Sequence, residues 1–161
     1  MVRAINSIPR LSLAVPSVWD LLRVVRERVE THLLGVDRVL REATVMAASE
    51  LVENAIKYGR PVPACPNATL EVESDGRVMT LRISSGVRSE EAARDTVDRV
   101  STIAKAPDKM ALYLERMKTL LHGALPGSTQ LGLFRICGEG EFDLSCRFNQ
   151  DVLHLTATRE L

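Results

Sequence analysis

"ASELVENAIKYGR", residues 48 to 60, decides how this chain is read. Leu51, Ala55 and their apolar neighbours recur at helical spacing, while Glu50, Asn54 and Lys57 follow one another at steps of four and three, with Tyr58 alongside. On a helix those polar groups stack along one face. Such a set suits a phosphate ligand held with a divalent cation. Asn54 offers a neutral amide oxygen to a hard ion, Glu50 can orient or deprotonate a nucleophile, and Lys57 can neutralise phosphate charge. The same spacing also describes the solvated side of any amphipathic helix. The flanking sequence has to discriminate.

Outward from that stretch, residues 38 to 58 form one long predicted helix, stopped by Gly59 with Pro61 just beyond. Before it, "PSVWDLLRVVRERVETHLLG" predicts a helix with Ser17 as N-cap, Asp20 in the capping-box position and Gly35 as the stop. Residues 2 to 15 alternate loosely, placing Leu11, Leu13 and Val15 on one face of a strand that tolerates Pro9 by lying at an edge. After the loop "VPACPNA", the runs "TLEVES" and "VMTLRIS" flank "DGR", which predicts a hairpin. Ser89 then starts a helix that Ala106 and Pro107 interrupt. Asp108 caps the next, which Gly123 and Pro126 end. "STQLGLFRICGEGE" carries a short helical segment, and "FDLSCRF" and "VLHLTATREL" read as a closing hairpin around "NQD". Antiparallel strand pairs with helices gathered between them indicate an α+β two-layer sandwich in one domain, residues 1 to 161.

Composition narrows the function classes. The 21 basic and 21 acidic residues are interspersed, which excludes the broad basic field that nucleic acid or an anionic membrane requires. No apolar run approaches membrane-spanning length, and Pro9 and Pro16 break the segment where a signal peptide is continuous. A cytoplasmic protein is expected. Cys65, Cys137 and Cys146 are odd in number and lack a CxxC pair, so reduced thiols are expected rather than a disulfide frame or zinc site. None of His32, His122 and His154 has the acidic neighbour of a phosphoacceptor histidine. Gly138 and Gly140 are turn residues, because no Lys follows as in a P-loop. The stripe Met110, Leu114, Met117 and Leu121 reads as core, or as a docking or dimerisation face if its helix lies at the surface.

"ELVENAIKYG", residues 50 to 59, resembles the N-box of the GHKL superfamily, the ATPase fold shared by gyrase, histidine kinases, chaperones and mismatch-repair proteins. It is most similar to the anti-sigma-factor serine kinases, and the order of elements agrees over nearly the whole chain. The resemblance implies that Asn54 is a magnesium ligand, Glu50 the carboxylate that activates the attacking group, and Lys57 or Tyr58 a neighbour of ATP. In that family a DxGxG motif follows the second hairpin strand, its Asp accepting the adenine amino group. Here "RISSGVRSEE" stands in its place, with Ser84, Ser85 and Gly86 and no Asp. Loss of a charged acceptor removes a bond worth about 1.5–3 kcal/mol, roughly ten- to hundred-fold in affinity. The second glycine motif corresponds to "TQLGLFRI", which retains Gly132 and has Gln130 where a glycine is usual. The lid is replaced by predicted helix.

This pattern resembles small stand-alone bacterial regulators of partner-switching circuits. Those proteins bind an anti-sigma antagonist or a sigma factor, and phosphorylation of a Ser or Thr controls the exchange. Two functions are therefore expected: an ATP- and Mg2+-dependent protein Ser/Thr kinase using Glu50 and Asn54, with Ser84, Gly86 and Gly132 near the nucleotide, or a nucleotide-free pseudo-kinase serving as a protein-interaction scaffold.

Overall fold

The computed structural model describes residues 6–16, 18–123 and 131–161. The Ser17 cap, Pro126 and Gln130 lie outside them. In chain order the elements are β1 (Ile8–Val15), α1 (Leu21–His32), α2 (Arg38–Tyr58), β2 (Ala68–Ser74), β3 (Val78–Gly86), α3 (Glu90–Lys105), α4 (Lys109–Leu121), α5 (Leu131–Gly138), β4 (Asp143–Asn149) and β5 (Val152–Glu160). The strands form one antiparallel sheet in the order β1-β2-β3-β5-β4. With helices on one face, this is the α+β two-layer sandwich that the sequence predicts.

Local chemistry places the turns. Asp75 accepts from the backbone N–H groups of Arg77 and Val78, at 2.8 and 2.9 Å, and Gly76 takes φ +89°, closing the β2–β3 hairpin. In the second hairpin Gln150 and Asp151 both adopt left-handed backbone, the conformation of a two-residue turn that follows the strand twist. Asp37 caps α2 by accepting from Val39 N and Leu40 N. Ser89 and Asp108 cap α3 and α4 as the sequence predicts.

The start of α1 differs from expectation. Val18, Trp19 and Asp20 form a preceding turn, with Leu21 N donating to Val18 O, and Asp20 has helical backbone and no side-chain cap bond. The helix therefore begins three residues after the predicted apolar start. Val18 and Trp19 stay about half exposed.

Strand parity divides the sheet. On β3, Met79, Leu81, Ile83 and Ser85 are buried under the helices, whereas Thr80, Arg82 and Ser84 point to the opposite, uncovered face. Leu70, Val72, Leu155 and Ala157 extend the buried layer against Val29, Ala47, Leu51, Val52, Leu133 and Ile136 from the helices. Thr44 and Ser49, buried within α2, satisfy their hydroxyls on the carbonyls of Leu40 and Val45. The Met110, Leu114, Met117, Leu121 stripe divides as well: Met117 packs on the core and the other three are exposed. Among the described residues no helix is long and apolar enough to cross a membrane.

Candidate functional site

The C-terminal half of α2 separates two spaces. Toward the sheet lies an apolar cavity lined by Leu51, Asn54, Tyr58, Ile83, Ser85 and Leu133, with residues of α3 and β5 completing the wall. Its volume is about 30 Å³, room for about two waters. Toward α4 and α5 lies an open polar groove of about 350 Å³, bordered by Glu50, Glu53, Asn54, Lys57, Gly132 and Arg135. Tyr113 and Glu139 close its far end. Asn54 borders both spaces.

Glu50 is not a free base. Its Oε1 accepts from Arg135 Nη1 at 3.0 Å, across from α5, and its side chain is only 18% exposed. Arg135 also donates to Glu139 at 2.8 Å. Glu139 and Glu50 raise the Arg135 pKa against the smaller opposing effect of burial, so the guanidinium is a fixed positive charge. Tyr113 donates to the other oxygen of Glu139, at 3.4 Å, and burial raises its phenol pKa, helped by the charge of Glu139. Gly132 explains how α5 approaches so closely: a Cβ there would collide with the Glu50 carboxylate.

Asn54 carries the one orphaned group on this helix face. Its Nδ2 is buried and has no hydrogen-bond partner among the described residues, which is costly for a polar group removed from water. A half-turn of the carboxamide exchanges nitrogen for oxygen. Lys57 sits at the groove's edge, 3.8 Å from Glu53 and with its ammonium 5.8 Å from the centre of the Trp19 ring. Counting the lining residues, Glu50, Glu53 and Glu139 outnumber Lys57 and Arg135 by one.

These facts test the expected ligands separately. An excess carboxylate beside an orphaned carboxamide fits a hard cation, with Asn54 and Glu53 as the groups that would hold it. Among the described residues no three acidic, His or Cys side chains converge as a metal cage, so other oxygens would have to come from the ligand, as is usual for magnesium. The cavity on the sheet side holds about a tenth of the roughly 300 Å³ at which small-molecule pockets begin.

The expected site residues lie in different places. Glu50, Asn54, Lys57 and Gly132 come together in the groove, but Tyr58 lines the apolar cavity instead. Ser84 belongs to neither. Its parity turns it to the uncovered sheet face, where its hydroxyl meets His154 Nδ1 at 2.8 Å, and Ser85 takes the cavity position. Gly86 serves packing rather than ligand approach: its carbonyl accepts from Arg60 N at 3.0 Å, and a Cβ would strike Arg60 O and Val62. Gly59 fits equally tightly against the Ala55 carbonyl.

Arg135, Tyr113 and Glu139 were not expected at the site, and Ser85, noted beside Ser84 in the sequence, was not singled out. Ser85 was legible, since it continues the Leu81, Ile83 alternation. Arg135 left no sequence signal, lying 85 residues from its partner Glu50.

No family model matches this chain, and no curated protein matches it. Among solved structures it is similar to a chain of the crystal structure of the SiaB-SiaC complex from Pseudomonas aeruginosa, with a TM-score of 0.67 over 94% of this chain and 89% of that one. At 16% identity, the likeness shows that the two chains share a fold.

Proposed function

We propose that this chain is a signalling regulator that acts by partner switching, binding a sigma factor, an anti-sigma antagonist or another signalling protein, and that it does so as a nucleotide-free scaffold. One observation carries this reading: the space beside Asn54 and Ser85, where the resemblance puts the purine, has a volume of about 30 Å³. Occupation of Glu50 by Arg135 agrees with it. The similar solved structure is itself a complex of two proteins, SiaB and SiaC, which supports a protein partner for this fold.

A kinase reading draws on a different observation, the orphaned Asn54 carboxamide beside an acidic groove. Bound ATP and Mg2+ would supply a transferable phosphoryl group. This chain's own part would be to release Glu50 from Arg135, so that its carboxylate can take the proton of a Ser or Thr hydroxyl.

The two readings separate in a thermal-melt titration with ATP and ADP, with and without magnesium, on the wild type and Asn54→Ala. The scaffold predicts no shift at millimolar nucleotide. A magnesium-dependent rise of several degrees, lost in Asn54→Ala, overturns it; saturation at about 100 times the dissociation constant is worth roughly 2.7 kcal/mol. Affinity capture followed by phosphosite mapping then tests the partner, and recovery of metabolic enzymes alone counts against partner switching.

A further inference from the structure

The uncovered sheet face has two unlike halves. Over β1, β2 and β3, charges close on one another: Arg10 pairs with Glu73 at 3.0 Å and Glu71 at 3.6 Å, and Arg82 pairs with the same two carboxylates. Over β5 and β4, among the described residues, charged pairing on this face is confined to Asp143 at the start of β4, which meets Lys109 of α4 at 3.1 Å. Ser84, His154 and Arg147 stand in one row across three adjacent strands, since Ser84 pairs with His154 and His154 with Arg147. The next row along adds Thr156 and Ser145, also directly paired. Paired residues lie about 4.5–5.5 Å apart at Cα, so the three-strand row spans roughly 10 Å. Arg147 is exposed and, among the described residues, forms no ion pair with a carboxylate. The surface dips here into a groove of about 500 Å³. That second row continues through Arg82, paired with Thr156, to Glu71 at the groove's margin, where Arg82 lies 4.0 Å from the Glu71 carboxylate.

We propose that this half of the sheet is an oxyanion site for a phosphate monoester, held by the Arg147 guanidinium and by His154, whose ring Ser84 orients, with the hydroxyls of Ser145 and Thr156 as further donors. A guanidinium presents paired N–H donors that match phosphate oxygens. The imidazole ring adds a second donor that strengthens on protonation. Its Nδ1 is engaged with Ser84, so Nε2 is the nitrogen left for a ligand. The charged groups around His154 are Arg147 from β4, Arg82 from β3 and Glu71 from β2. In the free protein, burial and then the Arg147 charge lower the His154 pKa below 6.5. A bound dianion offsets the Arg147 effect and favours the protonated ring, while protonation of the ligand itself, near pH 6 for a monoester, removes the dianion as pH falls, so the two effects oppose each other between about pH 8 and 6. The site lies across the sheet from the α2 groove and does not depend on what that groove binds.

The test is titration of the intact chain with inorganic phosphate, followed by nitrogen-15 spectra of the His154 ring and the Arg147 Nε. Chloride at matched ionic strength is the control. Saturable shifts at both side chains are expected. Arg147→Gln should weaken them about ten- to hundred-fold, as loss of a charge-assisted bond does. Arg147→Lys should recover part of the affinity, and His154→Gln should remove the ring's share of the pH dependence and leave that of the phosphate's own second ionisation. Parallel titrations with O-phosphoserine and AMP identify the source of the phosphate. Tighter binding of either, still dependent on Arg147, supports the site and names its class. Shifts that chloride reproduces, or phosphate binding unchanged in Arg147→Gln with an unchanged melting temperature, overturn it.

Discussion

The apolar cavity and the polar groove share Asn54 as a wall, yet they are closed by different physics. Large side chains from β3, α5 and β5 fill the cavity side, and Leu51 and Leu133 are fully buried there. On the groove side, closure is electrostatic: Arg135 spans from α5 to Glu50 while Gly132 leaves room for the carboxylate. Packing is non-directional and costly to undo; an ion pair whose Arg135 end is open to water costs less to break. A ligand can therefore open the groove far more readily than the cavity.

Substitutions sharpen this contrast. The largest effect is expected for Leu133→Ala, which enlarges the cavity and should cost about 2–5 kcal/mol in denaturant unfolding. A cost below about 1 kcal/mol would mean that the cavity wall is soft. Gly132→Ala comes next. An unobstructed helical glycine gains up to about 1 kcal/mol on replacement by alanine, but collision with Glu50 should reverse the sign and destabilise by about 1–3 kcal/mol. Stabilisation would refute the close approach of α5 to Glu50.

Asn54→Leu should stabilise the free protein by about 1 kcal/mol, because it removes a buried donor that has no partner. Destabilisation would show that the carboxamide is satisfied in solution. A double-mutant cycle on Glu50→Gln and Arg135→Gln should give a coupling of about 0.5–1 kcal/mol, reduced by added salt. Zero coupling would leave the groove without its closure.

The smallest effect belongs to the far face. His154 has a folded-state pKa below 6.5, chiefly through burial. Below pH 6.5 the unfolded chain binds the proton first, so stability is full above that pH and declines as pH falls through the window between the two values. His154→Gln should remove that part of the slope.

Much of the fold was legible because its signals are local. Asp75 and Gly76 bend one hairpin, Gln150 and Asp151 the other, and Ser89 and Asp108 start their helices, each through contacts within a few residues. The α1 start was misplaced because Asp20 satisfies a capping pattern in sequence without making the bond. Strand parity separates Ser84 from Ser85: adjacent serines point to opposite faces, and Ser85 is the one that lines the cavity with Asn54.

By itself, the sequence determined the order of elements, the antiparallel pairing and the alignment of Glu50, Asn54 and Lys57 along one helix, since periodicity and turn chemistry act over short chain distances. Tertiary structure alone decided what those residues meet. Arg135 arrives from 85 residues away to occupy Glu50, and β3, β5, α3 and α5 converge to leave only a small cavity beside Asn54. Such outcomes depend on how side-chain volumes and charges from distant elements fill one space, and no local pattern encodes that sum.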